Sequence, residues 1–165
     1  MKITLQQCIF LISTLSKKQA RLINALNSVY FVPISVNGKD VTDKNRTLEM
    51  KEDLQMIELI TQDLVTLKNA LSVANNKHKI GKKTLFSALE EVRLKRNLLS
   101  NFEYALSRSF NKVETGVGVV QYGTLNESLL KEKYEALEKE VNILSEQIDS
   151  LNASIEIEVK LLSEQ

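Results

Sequence analysis

The sequence has few of the residues on which β-rich or disulfide-linked folds depend. Its 165 residues include five glycines, one proline, one cysteine and no tryptophan, and only 5% are aromatic. So few turn-forming residues cannot supply the frequent tight turns of an all-β chain, whereas long helices need few of them. The lone Cys8 excludes an intramolecular disulfide and gives no sign of an oxidising compartment, so we expect a cytoplasmic protein. The 43% of hydrophobic residues must build a mainly aliphatic core.

Long hydrophobic runs and an excess of one charge are also missing. The most apolar stretch near the N-terminus, from Cys8 to Leu15, is short, contains Ser13 and Thr14, and lacks a small-residue cleavage site. We therefore expect neither a signal peptide nor a membrane span. The formal net charge of +1 argues against a generally basic nucleic-acid binder and leaves room only for a local basic patch. No specific nucleic-acid partner is expected.

The clearest pattern is an apolar heptad near the C-terminus. Its spacing alternates between four and three, which predicts a coiled-coil seam on a helix over about 127–162, capped by Asn126. The shift to Val159 and Leu162 is interpreted as a stutter. Such a helix is roughly 50 Å long at about 1.5 Å per residue, so it must lie along other helices. The seam comprises Leu130, Tyr134, Leu137, Val141, Leu144, Ile148, Leu151 and Ile155.

Three further helices follow from apolar stripes with helical spacing. They are predicted over about 4–29, 48–76 and 85–110. Gln19 interrupts the seam of the first, and Thr47 and Thr84 are the expected N-caps of the second and third. The third helix also carries a second apolar stripe, which is wider than one partner helix would cover. This stripe comprises Leu94, Leu98, Phe102 and Ala105.

The connections are short and turn-rich. Asn37-Gly38, within residues 32–46, favours a short hairpin between helices one and two. Three glycines within 112–124 indicate a flexible loop or a small β-hairpin between helices three and four. These features predict an all-α fold in one domain over 1–165: long antiparallel helical hairpins that form a four-helix, coiled-coil-like bundle. Leftover apolar stripes are best buried between subunits, so we expect a homo-oligomer, by default a dimer.

The candidate site is the basic segment 75–84, between helices two and three, with the arginines that follow it. Backbone N–H groups and the positive end of the helix dipole could join its lysines in binding an anionic small molecule. The plainer interpretation is a solvated turn in which lysine supplies solubility. The candidate ligand-binding residues are Asn76, Lys77, Lys79, Lys82, Lys83, Thr84, Arg93 and Arg96.

Other chemistry is excluded by missing partners. Residues 81–84 are similar to the end of a P-loop, but Asn76 stands where a glycine is required and a helix, not a strand, precedes it. With His78 as the only histidine and Cys8 as the only cysteine, no nitrogen or sulfur metal cluster can form in one chain. The Glu-x-x-His pattern of di-iron bundles is absent. We therefore expect a protein that is not an enzyme and that carries no metal or cofactor.

The stretch Leu71-Ser72-Val73-Ala74-Asn75-Asn76, followed by Gly81, Thr84-Leu85 and Ala88-Leu89, resembles the septicolysin-like family of small, largely uncharacterised helical proteins of bacteria and phages. The order of helices and turns agrees over most of the chain. A charged Arg-Asp pair of that family's third helix is replaced here by Val92-Arg93. The resemblance implies a helical fold, and the family's name adds a membrane-active toxin as a weaker alternative. Against it, every long helix here keeps a charged face.

The function expected from the sequence is therefore that of a non-enzymatic, oligomeric helical protein. It binds an anionic, for instance nucleotide-like, small molecule through its basic interhelix loop. The alternative is a coiled-coil protein–protein interaction module, in which the C-terminal seam or the loop 116–123 captures another protein.

Overall fold

A computed structural model describes residues 1–27, 35–41, 44–108, 111–114, 116, 118–123 and 125–163. Within these residues the chain is mostly helical, as predicted, but it is not all-α, because short strands flank or separate the helices. The helices are α1 (Leu5–Asn27), α2 (Lys44–Lys77), α3 (Leu85–Leu106) and α4 (Glu127–Ser154). The strands are β1 (Lys2–Thr4), β2 (Ser35–Val36), β3 (Lys39–Asp40), β4 (Lys79–Ile80), β5 (Lys83–Thr84), β6 (Asn111–Glu114), β7 (Val119–Tyr122) and β8 (Glu156–Glu158).

Three of the described strand pairs are hairpins between consecutive helices. The β2–β3 hairpin turns at Asn37 and Gly38, whose φ angles of 51° and 75° match a type I′ turn, so the prediction from this residue pair is confirmed. The β6–β7 hairpin is the second of the two structures expected between α3 and α4. The basic segment was predicted as a loop, and that was wrong. It forms the β4–β5 hairpin, in which Gly81, at φ 59°, takes the first position of a type II′ turn.

The fourth strand pair corrects the predicted end of the last helix. Helix α4 ends at Ser154 instead of continuing to residue 162, so Val159 and Leu162 do not continue its heptad through a stutter; strand β8 follows the helix and pairs antiparallel with β1. The residues 155–159 alternate apolar and acidic, which is the period of a strand with one covered face. Lys2 also pairs with Glu156 across the two strands, at 3.0 Å.

Helix ends elsewhere also differ from the prediction. Helix α2 begins at Lys44, so Thr47 lies inside the helix and is not its N-cap. Helix α3 ends at Leu106, four residues before the predicted end. There the hydroxyl of Ser107 donates to the carbonyl of Tyr104, and the N–H of Ser107 donates to the carbonyl of Glu103. Helix α4 begins after Asn126, as predicted, because the Asn126 Oδ1 accepts the N–H of Leu129 at 3.0 Å. The predicted positions 28–29 and 110 lie outside the described residues.

The described chain divides into two compact units, Met1–Ala74 with Asn152–Gln165, and Asn75–Leu151. The prediction of one domain stays a prediction. In the first unit α1 runs antiparallel to α2: the Cys8 thiol lies 3.6 Å from the carbonyl of Leu67, and Gln19 Nε2 donates to Thr61 Oγ1 at 2.7 Å. The polar interruption of the α1 seam therefore has a polar partner. Burial raises the pKa of the Cys8 thiol, which makes it a poor nucleophile.

Residues before α1 and after α4 complete the core of the first unit. Strand β1 and the segment after α4 cover the α1–α2 pair, and the carboxylate of Asp63, 1% exposed, accepts the N–H groups of Leu162 at 2.7 Å and Ser163 at 2.8 Å. Burial raises the pKa of Asp63, but hydrogen bonds from the Ser163 side chain and from these two N–H groups lower it further than burial raises it. The core residues are Ile3, Cys8, Leu15, Ile60, Leu64, Leu67, Val159 and Leu161.

The second unit pairs α3 with the first 25 residues of α4 (127–151). Arg96 Nη2 donates to Ser145 Oγ at 2.9 Å, and Lys95 Nζ lies 2.8 Å from Glu140 Oε2. Its buried apolar residues are Leu85, Ala88, Val92, Leu130, Val141 and Ile148. The last three belong to the predicted α4 seam, whose other members are half-buried. The seam is thus the inner face of α4, although a coiled-coil geometry stays a prediction.

Candidate functional site

The basic hairpin lies where α2 ends and α3 begins. The N–H of Leu85 donates to the carbonyl of His78 at 2.8 Å, which closes the base of the β4–β5 hairpin. Thr84 is the N-cap of α3, as predicted, because its Oγ1 accepts the N–H of Ser87 at 3.1 Å. The same hydroxyl also bonds the Ser87 hydroxyl at 3.0 Å. Thr84, a predicted ligand-binding residue, therefore serves the helix start.

A chain of alternating charges runs from the hairpin across α3 to α4. Lys83 pairs with Glu91, Glu91 pairs with Lys95 at 2.9 Å, and Lys95 pairs with Glu140 at 2.8 Å. The ammonium groups of Lys83 and then Lys95 lower the pKa of Glu91, and the carboxylates of Glu140 and then Glu91 raise the pKa of Lys95. Lys83, a predicted site residue, thus has its charge offset within the chain.

The two predicted arginines are also engaged by neighbours. Arg93 contacts Glu90, one helical turn earlier, through Nε at 3.0 Å and Nη2 at 2.7 Å, and this partner raises the pKa of the guanidinium. Arg96 donates to Ser145 on α4. Arg93 is thus paired within α3, and Arg96 links α3 to α4.

The remaining predicted site residues lie in the hairpin and at the end of α2. They are Asn76, Lys77, Lys79 and Lys82. Lys77, Lys79 and Lys82 are exposed, and within the described residues no carboxylate forms an ion pair with any of them. Lys79 and Ile80 form one wall of an open groove of about 420 Å³. Asn76 lies at the last turn of α2 and is exposed.

The opposite wall of the groove comes from α4, and sequence reasoning did not identify it. It is formed by Glu146, Gln147, Ser150 and Leu151. These residues lie near the end of a strongly heptad helix, and only Leu151 belongs to its predicted seam. The remaining three look like ordinary solvated positions in the sequence. Only the pairing of the hairpin with this part of α4 gives them a common surface.

The groove therefore combines one cation, one carboxylate and two neutral hydrogen-bonding side chains with two apolar side chains, Ile80 and Leu151. Among the described residues, no group of three or more histidine, cysteine or acidic side chains is placed to hold a metal ion. No helix within the described ranges is long and apolar enough to cross a lipid bilayer. The arrangement offers charged and neutral hydrogen-bonding groups to a polar small molecule.

Comparison with known proteins gives a fold without a function. No family model matches the chain, and no curated protein does. The crystal structure of a functionally unknown conserved protein from Corynebacterium diphtheriae is similar in fold, with a TM-score of 0.70 and 18% sequence identity over 96% of this chain and 100% of that one. At this identity the likeness extends to the arrangement of the helices and strands.

Proposed function

We propose that the protein binds an anionic small molecule in the groove between the β4–β5 hairpin and α4. The observation that carries this proposal is Lys79, an exposed cation on the groove wall with no ion-pair partner among the described residues. Lys77 and Lys82 are close to it in the chain and add positive charge at the same end of the unit. The proposed site contains fewer residues than the predicted one, since Lys83, Thr84, Arg93 and Arg96 are engaged elsewhere.

The composition of the groove limits the ligand that fits it. Glu146 would repel a ligand that is anionic throughout, but its oxygens accept hydrogen bonds from hydroxyl or amino groups. Gln147 and Ser150 can donate and accept, and Ile80 with Leu151 offers apolar contact. A volume of about 420 Å³ falls within the range of roughly 300–1,000 Å³ for small-molecule sites. A molecule with one anionic end and a hydroxyl-bearing body, such as a nucleoside monophosphate, satisfies all of these groups.

Isothermal titration of the purified protein with nucleoside monophosphates and inorganic phosphate tests the proposal. We expect binding by the wild type and about tenfold weaker binding by Lys79→Ala, because loss of one charge-assisted hydrogen bond is worth roughly 1.5 kcal/mol. Lys139→Ala is the matched control, since Lys139 is an exposed lysine of α4 that does not line the groove. No heat with any of these anions, or equal loss in both variants, would refute the proposal.

A second variant tests how the hydroxyl-bearing part of the ligand is bound. Glu146→Gln removes the carboxylate but keeps the shape of the side chain. We expect it to strengthen binding of inorganic phosphate, which it no longer repels, and to weaken binding of the nucleoside monophosphate, whose hydroxyls lose a charged acceptor. A change in the same direction for both ligands would contradict this assignment of the groove.

A protein–protein interaction module is the second candidate function. The α4 seam is buried or half-buried within the chain, so a partner cannot bind it without unfolding the second unit. Strand β7 favours this function better, because Val119 and Val120, whose side chains point to opposite faces, are 42% and 48% exposed. A pull-down with the wild type and a Val119→Lys/Val120→Lys variant tests capture by this strand. Equal capture by both would exclude it.

The toxin alternative and the septicolysin-like resemblance stay expectations. Leakage from lipid vesicles on addition of the purified protein would support membrane activity, and intact vesicles at high protein concentration would remove it. We also keep the expectation of a cytoplasmic homo-oligomer as part of the proposal.

A further inference from the structure

The second unit has an apolar surface on one side of the α3–α4 pair. The ion pair between Lys95 and Glu140 marks this side. Leu98 follows Lys95 by three residues, and Ile143 follows Glu140 by three. Since residues three or four apart are neighbours on a helix surface, both apolar side chains flank the ion pair.

The surface extends along both helices. On α4, Leu129 and Ala136 precede Ile143 at intervals of seven residues, so the three share a line about 20 Å long at about 1.5 Å per residue. On α3, the half-buried Phe102 follows Leu98 by one turn. The three large aliphatic side chains are well exposed: 52% for Leu129, 44% for Leu98 and 58% for Ile143. We call these five residues the flank face.

The surroundings of Phe10 provide a contrast with the flank face. Phe10, in the first unit, is 70% exposed, but its neighbours one turn away on α1 are all glutamine, serine or threonine. They are Gln6, Gln7, Ser13 and Thr14. Single exposed apolar residues of this kind are common on monomers, whereas a row on two adjacent helices is typical of an interaction surface.

The charges on this side indicate which partner the face fits. The ion-pair chain of Lys83, Glu91, Lys95 and Glu140 has two positive and two negative groups that alternate, so it has no net charge. A strongly charged partner gains nothing from such a pattern. A second copy related by a two-fold axis beside the central pair gains from it, because Lys95 then approaches the partner subunit's Glu140 and the reverse contact forms as well.

We propose that the flank face joins two copies of this chain in a weak, reversible homodimer. Two helices about 10 Å apart and a row about 20 Å long give each copy less than the roughly 800 Å² per partner of a standard interface. We therefore expect a dissociation constant of micromolar order or weaker. This proposal does not depend on the ligand groove, because its evidence comes from a different set of side chains.

Sedimentation velocity over a concentration series from about 5 to about 500 µM, a range that brackets a micromolar dissociation constant, tests the proposal. The wild type should pass from monomer to dimer. Leu98→Glu and Ile143→Glu should each raise the dissociation constant at least about tenfold, because each places an acid among apolar side chains. Phe10→Glu is the control with equal chemistry outside the face and should leave the constant unchanged. Helical circular dichroism checks that all three variants fold.

Cross-linking gives a readout that does not depend on affinity. Since Cys8 is buried, Ile143→Cys introduces an accessible thiol that a bis-maleimide reagent should link between two copies, whereas Phe10→Cys should not be linked. A wild type that stays monomeric to the highest concentration would overturn the proposal. So would dimers that survive both glutamate variants, or equal cross-linking at positions 10 and 143.

Discussion

Asp63 offers the sharpest test of how the first unit is held together. Its buried carboxylate accepts two backbone N–H groups from the C-terminal segment, at 2.7 and 2.8 Å. A hydrogen bond to a charged group contributes roughly 1.5–3 kcal/mol. In Asp63→Ala the segment can partly recover by moving its N–H groups into water, so we expect a loss of about 2–4 kcal/mol in the free energy of unfolding.

The dependence of this loss on pH identifies the carboxylate as its cause. The folded-state pKa of Asp63 is lowered below its unfolded value, which is about 3.9. A lowered pKa stabilises the fold fully above the unfolded value, and the stabilisation disappears as the pH falls through the folded pKa. The difference in stability between wild type and Asp63→Asn should therefore be constant from about pH 5 to 8 and shrink below about pH 4.

Urea unfolding followed by circular dichroism at a series of pH values measures both effects. Glu58→Gln is the matched control, because Glu58 is an exposed carboxylate on the same helix. It should change the free energy of unfolding by less than about 0.5 kcal/mol. If Asp63→Asn unfolded with the same free energy as Glu58→Gln at pH 7, or if its deficit grew on acidification, the role assigned to these hydrogen bonds would be wrong.

Substitutions at Thr84, at Gly81 and at the Gln19–Thr61 pair test local structure by thermal or urea unfolding. Thr84→Ala should lose about 1 kcal/mol by uncapping α3, and Thr84→Ser should retain most of it; equal losses would contradict the cap. Gly81→Ala, whose added methyl meets open space, should lose about 1–2 kcal/mol from positive φ alone, and unchanged stability would exclude the type II′ turn. A double-mutant cycle of Gln19→Ala and Thr61→Ala should give a coupling energy of about 0.5–1 kcal/mol, whereas additive losses would show that the 2.7 Å contact does not persist in solution.

Local sequence signals predicted the features that short-range forces determine. Thr84 and Asn126 are caps because their side chains lie beside free N–H groups at a helix start, and such geometry needs no distant partner. Asn37-Gly38 gives a hairpin turn because both residues tolerate positive φ. The apolar seam of α4 faces the core of its unit up to the helix end at Ser154, because a heptad repeat places its apolar side chains on one side of the helix.

The candidate site was predictable only in part. The sequence placed lysines beside a helix start, but it could not show that Lys83 meets Glu91 and that Arg96 meets Ser145. The first contact depends on how the hairpin lies against α3 and the second on how α3 pairs with α4, and a list of charges contains neither. For the same reason the α4 wall of the groove, including Gln147, was missed.

Long amphipathic helices with an aliphatic core follow from the order of amino acids alone, since the spacing of apolar residues along the chain sets which side of each helix avoids water. The conformation of the segment after Ser154 depends instead on contacts with distant parts of the chain. Ile155, Val159 and Leu162 fit a shifted heptad, whereas Ile155, Ile157 and Val159 fit a strand, and β1 supplies the backbone partners that make the strand the lower free-energy choice. Tertiary contacts likewise decided which lysines are neutralised, because an ion pair requires two side chains within a few ångströms of each other.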